Sequence, residues 1–253
     1  MSNKIKKRLF FDIETSPNIG FFWQSGYKLN IPYGNIIKER AIICICYKWA
    51  GDKKVYSLNW DGSQDDKQML EEFMVIANSA DELVGHNGDK FDLPWIMTRC
   101  LYHRIPCFPS YNTIDTLKSA RSKFRFNSNR LDYIAKYLGF GGKTDTGFDL
   151  WRNIVLHSDK KALKKMVEYC KNDVVILEKV YNHIANYIPH KTHYGALAGN
   201  RYSCPECTKN NLTVSKRRYT AAGILKIQLV CADCGKYHTV SKTVYDKILL
   251  NDF

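Results

Sequence analysis

Two Cys-x-x-Cys pairs, Cys204/Cys207 and Cys231/Cys234, stand 23 residues apart near the C-terminus, and no other feature restricts the fold as tightly. Four thiolates on two short turns match the tetrahedral ligand set of a structural Zn²⁺. A four-sulfur set leaves no open coordination position, so the expected ion is one structural zinc. A redox role for a single pair is the alternative. The segment between the pairs carries two β-prone runs, Leu212 to Ser215 and Ile224 to Val230, around Ala221-Ala222-Gly223. The other five cysteines, Cys44, Cys46, Cys100, Cys107 and Cys170, are scattered among apolar residues. They read as small buried hydrophobes in a reducing compartment.

A chain of 253 residues has room for a main domain and a small one. Its apolar content of 45% excludes a disordered or fibrous protein. The longest apolar run, Ala41 to Tyr47, is strand-sized, so no membrane span is expected. The basic start Lys4-Ile5-Lys6-Lys7-Arg8 leads into an apolar stretch that Asp12 and Glu14 interrupt, which does not fit a signal peptide. An intracellular, cytoplasmic protein with no membrane partner is the expectation. The net charge of +13 suits a polyanionic partner, above all nucleic acid.

Residues 1–190 alternate strand-like and helix-like segments. Strands are expected over Arg8 to Ile13, Ala41 to Trp49, Lys53 to Asn59 and Glu82 to Gly85. Helices are expected over Asp65 to Asn78, Leu93 to Tyr102, Thr113 to Phe124, Leu131 to Leu138, Asp159 to Cys170 and Asp173 to Tyr187. Met69, Phe73, Ile76 and Ala77 share one helical face. Gly139 to Gly147, with four glycines, reads as a mobile loop. This order predicts an α/β domain with a mixed sheet. Residues 191–199 read as a linker and 200–253 as a cysteine-anchored second domain.

The carboxylates carry the chemistry. Asp12 and Glu14, at i and i+2 on a strand, project from the same face. Such a pair is unfavourable unless a cation neutralises it; a polar strand end is the plain alternative. Asp92 stands at a strand–loop–helix junction just before Leu93-Pro94, where proline restrains the chain; a simple helix cap is the alternative. Tyr169 and Asp173, at i and i+4, share a helix face. Four carboxylates from three separate segments can bind two hard cations such as Mg²⁺ or Mn²⁺. Two such ions can stabilise both the attacking and the leaving oxygen of a phosphodiester.

Phe11-Asp12-Ile13-Glu14-Thr15, Asn87-x-x-x-Phe91-Asp92 and Tyr169-x-x-x-Asp173 resemble the three exonuclease motifs of DEDD 3′→5′ exonucleases. The likeness is to the proofreading domain of family B DNA polymerases, over roughly residues 6–188. The histidine type of this family has His five positions before the last Asp; here that residue is Glu168, so the chain resembles the tyrosine type. Arg130 to Leu138 and the following Gly-Lys-Thr-Asp also resemble that domain, and no polymerase palm or fingers is recognisable. The resemblance implies a stand-alone exonuclease with a ribonuclease H-like mixed sheet flanked by helices. It makes Asp12, Glu14, Asp92 and Asp173 the ligands of two Mg²⁺ or Mn²⁺ ions, and Tyr169 the group that orients the attacking water. It places Thr15, Asn87 and Phe91 against the terminal nucleotides; core packing is the alternative for Phe91.

The C-terminal segment resembles a zinc ribbon. Residues 191–253 carry ten Lys/Arg against four Asp/Glu, a net +6. Lys216-Arg217-Arg218-Tyr219 sets an aromatic ring beside three cations, as in a strand-binding element; a solvated turn on the ribbon is the plain alternative. Docking to a replication or repair protein is the other role for the ribbon. The leading functional expectation is a 3′→5′ exonuclease acting on single-stranded DNA and releasing nucleoside 5′-monophosphates. The alternatives are the same chemistry on RNA, a structure-specific endonuclease, or a non-catalytic nucleic-acid-binding protein.

Overall fold

The computed structural model describes residues 7–26, 28–142 and 147–250. Two compact units are present, Arg8–Val180 and a second made mainly of the chain from Tyr181 onward.

The larger unit runs β1 (Arg8–Thr15), β2 (Ile19–Gly20), β3 (Ile36–Lys38), β4 (Ile42–Trp49), β5 (Tyr56–Asn59), α1 (Lys67–Ser79), β6 (Glu82–Gly85), α2 (Asp92–His103), β7 (Thr113–Asp115), α3 (Thr116–Lys123), α4 (Leu131–Tyr137), α5 (Asp149–His157) and all but the last turn of α6 (Lys160–Ile184). The central sheet has the order β5-β4-β1-β6-β7. β1 pairs antiparallel with β4 and parallel with β6, so the sheet is mixed, as the sequence predicts. β2 and β3 form a separate two-stranded hairpin.

The period of two along β1 sorts its residues between two layers. Leu9, Phe11 and Ile13 join Met69, Leu70 and Phe73 of α1 and Ile96 of α2 in one buried core. Each fully buried side chain of this size contributes about 1.5–3 kcal/mol. The intervening residues face α6. Asp12 lies opposite Cys46 and Glu14 opposite Cys44, and the Cys46 thiol reaches the Val167 carbonyl at 3.6 Å. A buried ion pair between Lys48 of β4 and Glu178 ties α6 to the same face.

α6 is one continuous helix where the sequence predicts two. Asn172 and Asp173 resemble a helix start in sequence, since both are favoured N-cap residues. The stripe Met166, Cys170, Val174, Leu177, Val180, Tyr181 and Ile184 is nevertheless buried without interruption, and its packing overrides the local signal. The expected helix over Thr113 to Phe124 begins only at Thr116. Its first three residues form β7 instead, too short a strand to show alternation. Asp115 caps α3, accepting from the Leu117 and Lys118 N–H groups. α5, which buries Leu150, Ile154 and Val155, follows the glycine-rich segment directly and is absent from the sequence expectations. The Gly-Lys-Thr-Asp motif falls largely on 143–146, outside the described residues, as does most of the basic start.

The second unit holds α7 (Tyr194–Leu197), β8 (Leu212–Tyr219), β9 (Leu225–Cys231), β10 (Tyr237–Ser241) and α8 (Lys242–Leu250). The sheet order is β10-β9-β8, antiparallel throughout. β10 and α8 add to the two strands that the sequence predicts. Among the described residues, Ile227, Leu229 and Ile248 are the buried members of the cluster under its sheet, a small core that leaves much of the stability to the cysteines. Residues 191–199, read as a linker, contain α7, and the Tyr194 N–H donates to the Pro205 carbonyl at 2.9 Å. Among the described residues no helix is long and apolar enough to cross a membrane.

Candidate active site and metal centres

Strand geometry and one helix assemble three carboxylates. Asp12 and Glu14 leave the same face of β1, and Asp173 projects from α6 onto that face. One oxygen from each lies within 4.8 Å of the others. Asp173 is 1% exposed and occupies a position in the otherwise apolar stripe of α6. A carboxylate at a core position is costly unless paired or neutralised. An all-oxygen set of this kind fits a hard divalent cation.

Asp92 arrives from the other side, in the first turn of α2. Its Oδ1 accepts from the Ile13 N–H at 3.2 Å, which anchors it to β1 between Asp12 and Glu14. It is 3% exposed. The structure therefore gathers Asp12, Glu14 and Asp173 into one group and fixes Asp92 beside them on the intervening residue. Tyr169 is half-buried on α6, one turn before Asp173 and on the same side of the helix.

Cys170, which reads from sequence as a plain buried hydrophobe, touches the site. Its Sγ lies 3.4 Å from the Asp12 carbonyl and 3.7 Å from Asp12 Oδ2. Burial pushes the Cys170 thiol well above its usual pKa, so it meets Asp12 as a neutral donor. Cys44, Cys46 and Cys170 together fill the space behind the carboxylates, with their sulfurs within 4.8 Å of one another.

The loop after β6 is shaped by Gly85 and Gly88. A Cβ on Gly85 would lie 3.1 Å from Gly88 Cα, tighter than an ordinary contact, so the backbone would have to give way. Between them Asn87 takes a left-handed conformation (φ 72°), and its N–H donates to Asp115 Oδ1 at 3.0 Å. His86 locks the loop to its neighbours: Nε2 meets the Asn129 carbonyl and Nδ1 meets Thr116 Oγ1, both at 2.9 Å. A cleft beside Asn87 is lined by Lys90, Lys118 and Arg121, cations that no motif in the sequence singles out. Phe91 is half-buried against the core around α1 and α2. The Thr15 carbonyl accepts from Trp151 Nε1 at 3.1 Å, so α5 braces the end of β1.

In the second unit the four cysteine sulfurs also lie within 4.8 Å of one another. Cys204 to Cys234 is 3.7 Å and Cys207 to Cys231 is 3.5 Å. Four sulfurs around Zn²⁺ at about 2.3 Å would be spaced by about 3.8 Å, so the cluster has the dimensions of a zinc site. Both turns have the same build: the residue after the second cysteine, Thr208 or Gly235, is left-handed (φ 64° and 70°). Burial pushes the Cys207 thiol up to about 11 and raises Cys204 and Cys234 as well. A bound cation would displace these protons. The cluster is compatible with a zinc ribbon.

Lys216, Arg217, Arg218 and Tyr219 do not lie on a turn. They continue β8, opposite Gln228, Ile227, Lys226 and Leu225, and all four are exposed. Alternation puts Arg217 and Tyr219 on one face and Lys216 and Arg218 on the other.

A family model described as the RNase_H superfamily matches residues 37–185. No curated protein matches the chain. Among solved structures, the family B DNA polymerase from the hyperthermophilic archaeon Pyrobaculum calidifontis is similar, with a TM-score of 0.55 and 15% identity. The likeness covers 85% of this chain and 31% of the polymerase, and at that identity it is a likeness of fold. The chain thus spans less than a third of that polymerase's length. With the acidic cluster, the family match supports a nuclease fold that uses divalent metal. More than half of the chain lies within the match, and the protein belongs to the RNase_H superfamily.

Proposed function

We propose that this protein is a metal-dependent 3′→5′ exonuclease that hydrolyses single-stranded DNA and releases nucleoside 5′-monophosphates. The observation that carries the reading is the convergence of Asp12, Glu14 and Asp173 within 4.8 Å, with Asp92 held to Ile13 beside them. Asp12, Glu14, Asp92 and Asp173 would hold two Mg²⁺ or Mn²⁺ ions. When bound, the pair supplies an activated water and offsets charge on the leaving oxygen. Tyr169 would orient the water through its hydroxyl; a free tyrosine titrates near 10, so it acts as a hydrogen-bonding group and not as the base. Thr15, Asn87 and Phe91 would touch the terminal nucleotides. The ribbon would bind one structural Zn²⁺ through Cys204, Cys207, Cys231 and Cys234. Lys216, Arg217, Arg218 and Tyr219 would add strand contacts.

The test uses a 3′-labelled single strand, a 5′-labelled one and a circular one, each in Mg²⁺, in Mn²⁺ and in EDTA. Immediate loss of the 3′ label, a stepwise ladder from the 5′ label, an intact circle and silence in EDTA are the expected results. A cut circle would replace the reading with an endonuclease, and undiminished cleavage in EDTA would remove the metal centre. A matched RNA strand separates the two nucleic acids.

A further inference from the structure

β1 leads from the carboxylates directly into the β2–β3 hairpin, in which Ile19 pairs with Lys38 and Gly20 with Ile36. The connecting loop holds Phe21, Phe22 and Trp23 in succession, with Tyr33 on its return. All four rings stand in solvent: Trp23 is fully exposed and Tyr33 is 82% exposed. So much aromatic surface on one loop marks an interaction site.

Beside the hairpin lies a cleft of about 810 Å³, lined among others by Tyr33, Lys38, Arg40, Trp95, Arg99 and Tyr102. Its cations rest on rings: the Arg40 guanidinium is 4.9 Å from the Trp95 ring centre and that of Arg99 is 4.4 Å from Tyr102. Arg99 is already committed to Asp66 through two hydrogen bonds of 2.8 Å, and Glu39 and Asp65 also line the cleft. Arg40 differs, because its buried Nε has no hydrogen-bond partner among the described residues. A buried donor left this way calls for an acceptor, and the oxygen of an anion would serve. None of the four site carboxylates lines the cleft, but two short stretches of chain connect it to them. Ala41 in its lining accepts from the Ser16 N–H at 2.9 Å, and Ser16 is two residues past Glu14. Trp95 is three residues past Asp92.

We infer that the hairpin loop and this cleft bind the unpaired bases of a single-stranded nucleic acid, with Phe22, Trp23 and Tyr33 stacking on bases and Arg40 contacting a phosphate. Rings interleaved with cations are the arrangement that binds single strands without reading sequence, because every base offers a face to stack on. Paired bases hide those faces, so the surface selects single strands over duplex. The inference rests on the proposed nuclease reading in one respect: the strand held here is the one whose end reaches the carboxylates.

The experiment measures fluorescence anisotropy of a labelled single-stranded oligothymidylate with the full-length protein in EDTA, where no cleavage is expected. Trp23→Ala should weaken binding by about 5- to 150-fold, the range for loss of one base stack. Trp23→Phe should recover most of the loss. Arg40→Ala should weaken binding and flatten its salt dependence. Affinity for a blunt duplex should not change. In the cleavage assay Trp23→Ala should raise KM on long strands and leave kcat alone. Unaltered single-strand affinity in both Ala variants, at unchanged melting temperature, would overturn the inference; so would an equal loss on duplex. If the variants lose strand binding while the wild type cleaves nothing in Mg²⁺ or Mn²⁺, the binding site stands and the nuclease reading falls. If the wild type cleaves and both Ala variants bind as tightly as it does, the nuclease reading stands and the binding site falls.

Discussion

Asp173→Asn keeps the shape of the side chain and removes one of three converging charges. Two full charges no more than 4.8 Å apart repel by at least about 3.5 kcal/mol at an effective dielectric of about 20. Asp173 faces two such neighbours, Asp12 and Glu14. Solvent screening and local relaxation relieve most of that repulsion, leaving about 1–3 kcal/mol for the substitution to recover when no cation is bound. For a chain of this length that is a rise of about 2–10 °C in Tm. Divalent metal reverses the order. A ligand at a hundredfold excess over its Kd stabilises the wild type by about 2.7 kcal/mol, and the variant, short of a ligand, gains far less. The assay is thermal melting of both proteins in EDTA, Mg²⁺ and Mn²⁺, with cleavage measured alongside. The variant should melt above the wild type in EDTA, lose that lead in Mn²⁺, and turn over poorly in either metal. A variant that melts several degrees lower in EDTA, yet shows the wild-type shift with metal, would make Asp173 a structural residue and refute the electrostatic reasoning.

Further outcomes follow from other parts of the molecule. Tyr169→Phe should lower turnover by about 10- to 10³-fold, less than loss of a metal ligand; a loss equal to that of Asp173→Ala would give the hydroxyl a larger role. The full chain should contain one zinc by elemental analysis, and Cys234→Ser should release it and unfold the C-terminal unit; a metal-free wild type with an intact ribbon would contradict this. Replacing Lys216, Arg217 and Arg218 with Ala should flatten the plot of log affinity against log salt by about 0.7 for each phosphate no longer neutralised, and an unchanged slope would favour protein docking. Asp66 is buried, which works to raise its pKa, but hydrogen bonds from Arg99, the Ile42 N–H and His103 outweigh burial and hold it below the usual 3.8. Its stabilising contribution is therefore present above the unfolded carboxylate pKa and is lost as pH falls through the lower folded value. Asp66→Asn should cost about 3–5 kcal/mol near neutrality, with melting curves that converge with those of the wild type in strong acid.

Chemistry shows through the sequence where spacing and element type agree. Asp12 and Glu14 sit two apart on a strand whose other interior residues are apolar, and period two alone puts both on one face. Asp173 is legible as a partner of Tyr169, but its strongest signal is easily passed over: it interrupts the stripe from Met166 to Ile184, which reads as one helix only when its apolar positions are followed across Asn172. The four clustered cysteines announce themselves because both pairs share one spacing. Lys216 to Tyr219 look like a turn in sequence because charge hides strand periodicity; pairing with Ile227 and its neighbours, a contact across the sheet, makes them a strand. Trp151 and Cys170 cannot be read as site residues, since each acts through a contact with a residue more than a hundred positions away. The hairpin aromatics are visible as residues, but only their exposure shows that the core does not use them.

Product identity tests the central claim most directly. A single-stranded oligodeoxynucleotide incubated with the full-length protein and Mn²⁺ should yield nucleoside 5′-monophosphates one at a time from the 3′ end, and Asp12→Ala should yield none. Release of 3′-monophosphates or of longer fragments, or an Asp12→Ala protein that cleaves at the wild-type rate, would contradict the assignment of these carboxylates to exonucleolytic hydrolysis.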